Sequence, residues 1–225
     1  MISNSWGFRV RDNSLTSLKN RNENQYREFV DIQNQIYKAS ELNISVVFAA
    51  GNGFEMFPAN IPGIISVGGV YLDENYSLEA SNYCSSYESS YYPGRKSPDF
   101  CGICGSRYQD GAYQLGHIML PVSEKAKRNG KNVPLKDQIP GWGLFSGTSS
   151  CAPQVAGVIA LMKQINYNLT ASEIQDILSE SCIDITKGVS AMGDSTNAGF
   201  DPATGHGLVD ALAACSKAQE CLLDV

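Results

Sequence analysis

Hydrophobic and polar positions follow two different periods in the first third of the chain. In residues 23–43 (ENQYREFVDIQNQIYKASELN) apolar side chains recur at helical spacing, which predicts an amphipathic helix. The segment ISVVFAA (44–50) is a continuous β-branched apolar run, which predicts a buried strand ending in the glycines of GNG (51–53). PGIISVGGV (62–70) predicts another buried strand, and residues 2–6 are expected to be extended. Strand, helix and strand joined by short connections predict a parallel sheet with helical crossovers.

The rest of the chain divides into a loop-rich stretch and three helices. Residues 71–145 are rich in tyrosine, serine and glycine and predict loops, with a surface insertion at roughly 105–140. Its basic segment, 124–138, is expected to be solvated, because five basic side chains would be costly to bury unpaired. No repeat and no second domain boundary is visible, so residues 1–225 are interpreted as one domain. The predicted helices are 151–165 with Pro153 in its first turn, 170–181 opened by the capping box Thr170–Glu173, and a small-residue helix within 205–215.

Composition restricts the class of protein. The chain has 225 residues, of which 43% are hydrophobic and 18% charged, as is ordinary for a globular protein with a sizeable core. Its net charge of −6 offers no basic excess to neutralise phosphates, which argues against nucleic acid as a partner. No apolar run approaches the length of a membrane span, so a membrane partner is not expected.

The N-terminus and the cysteines leave the cellular location open. MISNSWGF has neither a basic region nor a long apolar core, so no signal peptide is predicted. Seven cysteines at irregular spacing do not define a disulfide framework. CGIC (101–104) is a lone pair without the four ligands of a closed zinc site, so a structural role is favoured and no metal site is predicted. The three sequons, at Asn43, Asn75 and Asn168, are short enough to occur by chance.

Candidate chemistry lies in two short stretches. SGTSSCAPQVAG (146–157) places Ser149 at the start of an apolar helix, whose free N–H groups favour the negative charge that develops in acyl transfer. Gly147 would let substrate backbone approach, although a serine or threonine here could equally be a simple helix cap. Asn52 follows a buried strand, at the edge where α/β sheets place their ligands, and its amide could donate to an oxyanion. The alternative for Asn52 is an ordinary turn residue beside glycine.

The order of these and further motifs resembles the C-terminal two-thirds of the catalytic domain of a subtilisin-like serine protease (a subtilase). SGTSSCAPQVAG is similar to the nucleophile motif of that family and VVFAAGNG to its oxyanion segment. ISNSWG (2–7), FPANIPGIISVGGV (57–70), SPDF (97–100) and GHGLVDALAA resemble other landmarks in family order. The resemblance implies a three-layer α/β fold with a mainly parallel central sheet flanked by helices, lacking its N-terminal part. It also implies hydrolysis of peptide bonds in peptide or protein substrates.

The resemblance implies a role for each matching residue. Ser149 is expected to be the nucleophile and Asn52 the oxyanion donor. The strand ending in SWG is expected to form one wall of the primary specificity pocket and to pair with substrate backbone. The residues expected to bind substrate are Ser5, Trp6, Gly7, Ala50, Gly51 and Gly147.

The departures from the family pattern concern the base and the cysteines. The catalytic aspartate and histidine of the family lie upstream of the SWG strand, so this chain is expected to need an upstream segment of its own protein. His206 lies in the closing glycine turn and reads as structural, and nothing in its spacing recommends His117 as a base. Cys101 and Cys104 stand where the family has alanine-proline-glycine, and Cys151 replaces a small apolar residue that a buried thiol can mimic.

Several alternative functions are weighed against this interpretation. The GxSxG elbow of α/β-hydrolases fails because Cys151 stands at the second glycine. The sedolisin relatives carry aspartate where this chain has Asn52, and Cys151 has no suitable histidine to make it a nucleophile. A catalytically silent module that binds peptides in its cleft remains an alternative. No cofactor is expected; calcium is conceivable, with Asp73 and Asp201 as acidic candidates, but neither loop has a ligand pattern.

Overall fold

A computed structural model describes residues 1–73, 75–106, 118–123 and 141–223. The strands in these ranges are β1 (Ile2–Asn4), β2 (Phe8–Arg9), β3 (Val46–Ala49), β4 (Met56–Phe57), β5 (Ile65–Leu72), β6 (Leu78–Ala80), β7 (Tyr87–Glu88), β8 (Lys96–Ser97), β9 (Phe100–Ile103), β10 (Ile118–Pro121) and β11 (Trp142–Phe145). The helices are α1 (Leu15–Arg21), α2 (Glu23–Glu41), α3 (Thr148–Ile165), α4 (Ala171–Ser181) and α5 (Ala211–Leu223).

A mainly parallel sheet forms the centre of the fold. Its strands run in the order β1-β3-β5-β6, and β9 also pairs with β5. The pairs β1–β3, β3–β5 and β5–β9 are parallel, whereas β6 is antiparallel to the end of β5. All four residues of β3 are buried, as expected for a parallel strand covered on both faces. The predicted α/β fold with a mainly parallel sheet is therefore confirmed.

Helices cover both faces of the sheet and produce three layers. On β3, Val47 and Ala49 belong to the core shared with α3, α4 and α5, which includes Ile159. Val46 and Phe48 point the other way and belong to a separate core shared with α1 and α2. This alternation follows from the two-residue period of a strand. The site-bearing segment that leaves β3 is thus anchored by buried side chains on both faces.

The polar stretch before α2 contains a helix that the sequence analysis did not predict. In α1, the Ser14 side chain accepts a hydrogen bond from the backbone N–H of Ser17 at 3.1 Å, which caps the helix. Arg21, at its end, reaches back to the buried carboxylate of Asp12, with Nη2 2.7 Å from Oδ2. Hydrogen bonding from this guanidinium lowers the pKa of Asp12. A helix of seven residues with one buried side chain, Leu18, is too short to show a periodic pattern.

The bounds of a helix and of the loop-rich stretch differ from those that the sequence predicts. The predicted helix at 151–165 begins earlier, at Thr148, so the serine cluster lies inside its first turn. The stretch 71–145 was expected to be loop, yet its described residues contain short strands of two to four residues, such as the antiparallel pairs β7–β8 and β10–β11. The expected insertion falls mostly at 107–117 and 124–140, which lie outside the described residues together with His117. Within the described part of the chain, no helix has the length and apolar character needed to cross a membrane.

Candidate active site

Ser149 lies in the first turn of α3 but does not cap it. The N-cap is Gly147, with φ +93°, and no side chain makes a capping hydrogen bond there. Only glycine adopts this backbone conformation readily, so the glycine sets the entry of the chain into the helix. Ser149 is exposed, and its backbone N–H has no acceptor among the described residues. The alternative of a simple serine cap is therefore wrong at this position.

Asn52 is fixed against the same helix end by one atom of its amide. Its Oδ1 accepts hydrogen bonds from the backbone N–H and the hydroxyl of Thr148, at 3.1 and 3.2 Å. The Thr148 hydroxyl in turn accepts from the backbone N–H of Gly51 at 3.1 Å. A Cβ added at Gly147 would lie 3.2 Å from both amide atoms of Asn52, so the absence of a side chain there lets the amide approach. The Nδ2 group is left as a donor without a partner among the described residues.

The loop that carries Asn52 is held by Ser85, which the sequence analysis did not single out. The Ser85 hydroxyl accepts from the backbone N–H groups of Gly53 and Phe54, both at 2.9 Å. Its own backbone N–H donates to the carbonyl of Gly51 at 2.9 Å. These contacts join residues more than thirty positions apart, and a single serine in a serine-rich stretch gives no sequence signal for them. Together, Thr148 and Ser85 fix the loop from both sides.

The Ser5 hydroxyl binds a backbone carbonyl that Pro153 of α3 leaves without its helical donor. Pro153 has no N–H, so the carbonyl of Ser149, four residues earlier, lacks its helical donor. The Ser5 hydroxyl donates to that carbonyl at 2.8 Å, and the Ser149 hydroxyl donates to the Ser5 carbonyl at 3.4 Å. The segment after β1 is thereby tied directly to the candidate nucleophile.

The remaining residues expected to bind substrate lie along the same two segments. Trp6 is 49% exposed and donates through Nε1 to the Asn4 side chain at 3.2 Å. Ala50 is fully buried, and its carbonyl accepts from the Tyr87 hydroxyl at 3.1 Å. Gly7 and Gly51 lie so near the side chain of Met56 that a Cβ added to either glycine would meet it, and the sequence analysis did not consider Met56.

His206 is the histidine that lies within the described residues, and it packs against two aromatic rings. His206 lies with its ring centroid 5.6 Å from that of Phe100 and 4.9 Å from that of Phe200, and its backbone N–H donates to Asp99. These contacts are consistent with the structural role predicted for His206, and that role stays a prediction. His117 lies outside the described residues.

Four cysteines are buried among apolar residues, and all seven are free thiols. Cys84 and Cys104 have their sulfur atoms 3.3 Å apart, and both lie against Gly69 beside Cys151. Thiol donation from Cys151 and Cys84 lowers the pKa of Cys104, whereas burial raises the pKa of Cys151. Cys101 is separate from this group and donates to the Thr204 carbonyl at 3.3 Å.

The acidic candidates for calcium already accept hydrogen bonds. The Asp201 carboxylate accepts from the backbone of Asn197, Ala203 and Thr204 and from the Thr204 hydroxyl. Asp73 accepts from two backbone N–H groups of its own turn. Across the described ranges, no group of three or more His, Cys, Asp or Glu side chains is arranged to hold a metal ion.

Comparison with known proteins identifies the family. A sequence model of the subtilase family (Peptidase S8) matches residues 1–207, and the chain therefore belongs to that family. It is 38% identical over 91 residues to bacillopeptidase F of Bacillus subtilis (strain 168), covering 40% of this chain and 6% of that protein. It is 29% identical over 187 residues to a calcium-dependent protease of Nostoc sp. (strain PCC 7120), covering 77% of this chain and 24% of that protein.

A solved structure shows the same fold. The structure of a protease from Pseudoalteromonas arctica PAMC 21717 matches with a TM-score of 0.56 and 26% identity, covering 83% of this chain and 46% of that one. This chain thus spans about a quarter or less of the length of the two curated relatives and about half of the solved structure.

Proposed function

We propose that this chain is the nucleophile-bearing part of a serine endopeptidase that hydrolyses peptide bonds through an acyl-enzyme on Ser149. The observation that carries the proposal is that the two polar atoms of the Asn52 amide are used differently. Its Oδ1 is bonded to Thr148 at the start of α3, the residue before the exposed Ser149, and its Nδ2 has no hydrogen-bond partner among the described residues. A donor and a nucleophile held at one helix N-terminus are what acyl transfer requires.

In the proposed reaction, the Ser149 oxygen attacks the substrate carbonyl while a histidine base takes the hydroxyl proton. The resulting oxyanion accepts hydrogen bonds from Asn52 Nδ2 and from the backbone N–H of Ser149. Collapse of this intermediate breaks the peptide C–N bond, and the histidine returns the proton to the leaving amine. Water then attacks the acyl-enzyme while the histidine takes a proton from it. The ester bond to Ser149 breaks, and the histidine returns the proton to the Ser149 oxygen. Ser5, Trp6 and Gly7 hold substrate backbone, as the family resemblance implies.

The base and its orienting aspartate are proposed to come from an upstream segment of the same protein. The free edge of β1 supports this: within the described residues only β3 pairs with it. Beside that edge lies an apolar groove of about 370 Å³, lined by residues that include Ile2, Trp6, Ile32 and Phe48. Further strands placed against β1 would cover this apolar surface and satisfy the edge.

Hydrolysis by this route is proposed to need no cofactor, because nucleophile, donor and base are all protein groups. Removing divalent ions with EDTA is therefore expected to leave the Ser149-dependent rate unchanged. A rate that falls with EDTA and returns with Ca²⁺ would contradict this part of the proposal. This protein would then depend on calcium, as the name of the Nostoc relative says of that protein.

The test compares the 225-residue chain with the gene product that includes the upstream segment. Reading the gene upstream of residue 1 for an aspartate motif and a histidine-glycine-threonine or -serine motif is the first step. The chain alone is expected to lack peptidase turnover and to be poorly soluble, because general-base catalysis contributes about 10²–10⁴-fold and the sheet edge is open. Restoring the segment, covalently or as a separate chain, should restore both properties.

Two outcomes would change the proposal. Hydrolysis by the chain alone that is abolished in Ser149→Ala would place the base within it, and His117→Ala would be the next variant. A longer protein that binds peptides, measured by fluorescence anisotropy, but never cleaves them would establish the silent binding module instead. The absence of a histidine contact to Ser149 within the described residues is the observation that keeps this second candidate.

A further inference from the structure

A methionine side chain lies between the two backbone segments expected to line the pocket for a substrate side chain. A Cβ built on Gly7, after β1, would lie 2.7 Å from Cε of Met56. A Cβ built on Gly51, after β3, would lie 2.6 Å from Cγ of the same residue. The thioether therefore spans the space between the segments, and each segment has a glycine at the point of contact.

The backbone of Met56 is fixed on several sides. In the pairing of β2 with β4, Met56 lies opposite Arg9. The Met56 carbonyl accepts from the backbone N–H of Asn60 at 3.0 Å and from the Tyr87 hydroxyl at 3.4 Å. The single proton of this hydroxyl is shared with the carbonyl of Ala50, which lies nearer at 3.1 Å, so the Tyr87 side chain bridges the strand carrying Met56 and the segment carrying Gly51.

The carboxylate that precedes Met56 in the chain accepts hydrogen bonds from neighbouring groups. Glu55, the residue before Met56, accepts from the Asn60 side chain at 2.7 Å and from the hydroxyl of Ser90 at 2.6 Å. Both oxygens of the carboxylate are thus held by uncharged neighbouring groups, which orients the carboxylate towards Asn60 and Ser90. The groups that meet between the two segments are glycine backbone and the uncharged thioether of Met56.

We propose that Met56 determines specificity by filling the primary pocket, so that the residue donating the scissile carbonyl must be small: glycine, alanine or serine. The inference rests on the proposed function, since it assigns the pocket of that same site. A large side chain could enter only by displacing the thioether from between two glycines. The half-buried Met56 would thus act as the floor of a shallow pocket.

The experiment uses the protein with its upstream segment and two fluorogenic peptides that differ only in alanine or phenylalanine before the scissile bond. The unaltered protein is expected to favour alanine in kcat/KM by about tenfold or more, and Met56→Gly to shift that ratio towards phenylalanine by about 10–200-fold. Met56→Leu, which conserves volume, is the matched control and should keep the original preference. Met56→Ala, which opens the pocket less, serves if the glycine variant fails to fold.

The gain with phenylalanine is the readout that a merely structural role would not produce. An unaltered protein that cleaves the phenylalanine peptide as well as the alanine peptide would overturn the proposal. So would glycine and alanine variants that keep alanine cleavage without gaining phenylalanine cleavage.

If no peptide is cleaved, the proposed function fails, and the pocket is tested separately by binding. Product-like peptides ending in alanine or phenylalanine are titrated by anisotropy, and the same ranking and reversal are expected in their dissociation constants. Equal affinities in the unaltered protein, or an unchanged ranking in the variants, would overturn the role of Met56 in that case.

Discussion

Asn52→Asp separates the observed contact of the Asn52 side chain with Thr148 from the proposed donation to the oxyanion. Oδ1 accepts from the Thr148 backbone N–H and hydroxyl at 3.1 and 3.2 Å, and a carboxylate can accept both of these hydrogen bonds. An anion at a helix N-terminus is favourable by about 0.3–1 kcal/mol, so the free energy of unfolding should change by no more than about 1 kcal/mol. The substitution does remove Nδ2, the proposed donor to the oxyanion.

The expected loss is therefore one of rate rather than of stability. Losing one oxyanion donor typically costs about 2.7–4 kcal/mol, or about 10²–10³ in kcat, a value carried over from a serine protease of the same family. A negative charge beside the developing oxyanion should add to this loss. The assay is kcat and KM for a peptide substrate, with urea unfolding measured on the same samples.

Thr148→Val is the matched control, because it removes a hydrogen bond to Asn52 Oδ1 and leaves Asn52 Nδ2 in place. It removes the hydroxyl that bonds Asn52 and leaves the Gly51 N–H without its acceptor, at a cost of about 1–3 kcal/mol in stability. An Asn52→Asp variant with unchanged kcat would refute the oxyanion role. An Asn52→Asp variant that unfolds as readily as Thr148→Val would refute the assignment of Oδ1 to Thr148 and of Nδ2 to the oxyanion.

Three further predictions concern stability, measured by urea unfolding of the protein with its upstream segment. Ser5→Ala should cost about 0.5–1.5 kcal/mol, but less when combined with Pro153→Ala, which supplies the missing helical N–H; strictly additive losses would contradict this. Gly69→Ala should cost about 1–3 kcal/mol because its Cβ would collide with the sulfur atoms of Cys104 and Cys84, whereas Gly157→Ala, with open space around it, should stabilise by about 0.5–1 kcal/mol. Arg21→Met should lower stability at pH 7 by removing the ion pair with Asp12. The difference should shrink as pH falls below about 4, the pKa of an unfolded aspartate, and vanish below the lowered pKa of Asp12. A difference independent of pH would show that the ion pair contributes nothing.

Local pattern was enough to predict the long elements. Helix α2 and strand β3 follow from periodicity because each buries a stripe or run of apolar side chains against the sheet. The capping box at Thr170 and Glu173 was also correct, since both of its hydrogen bonds lie within four consecutive residues. Short elements such as α1 and β4 were missed because seven or two residues carry no period.

The candidate site shows where sequence reasoning reaches its limit. The motif around Ser149 and the position of Asn52 after β3 indicated two residues with suitable chemistry. Nothing in the sequence indicated that Thr148 would bind Asn52, that Ser85 would hold the loop, or that Met56 would lie between Gly7 and Gly51.

The sequence by itself determined which segments become strands and helices and which side chains have the chemistry for acyl transfer, because these depend on residue type and on neighbours a few positions away. Only the tertiary structure decided which of those groups meet. The Ser5 hydroxyl bonds a carbonyl 144 residues away, and it can do so because Pro153 left that carbonyl unpaired and the parallel sheet brought the end of β1 to the start of α3. Contacts of this kind are set by the packing of layers and strands, which no local stretch of residues encodes.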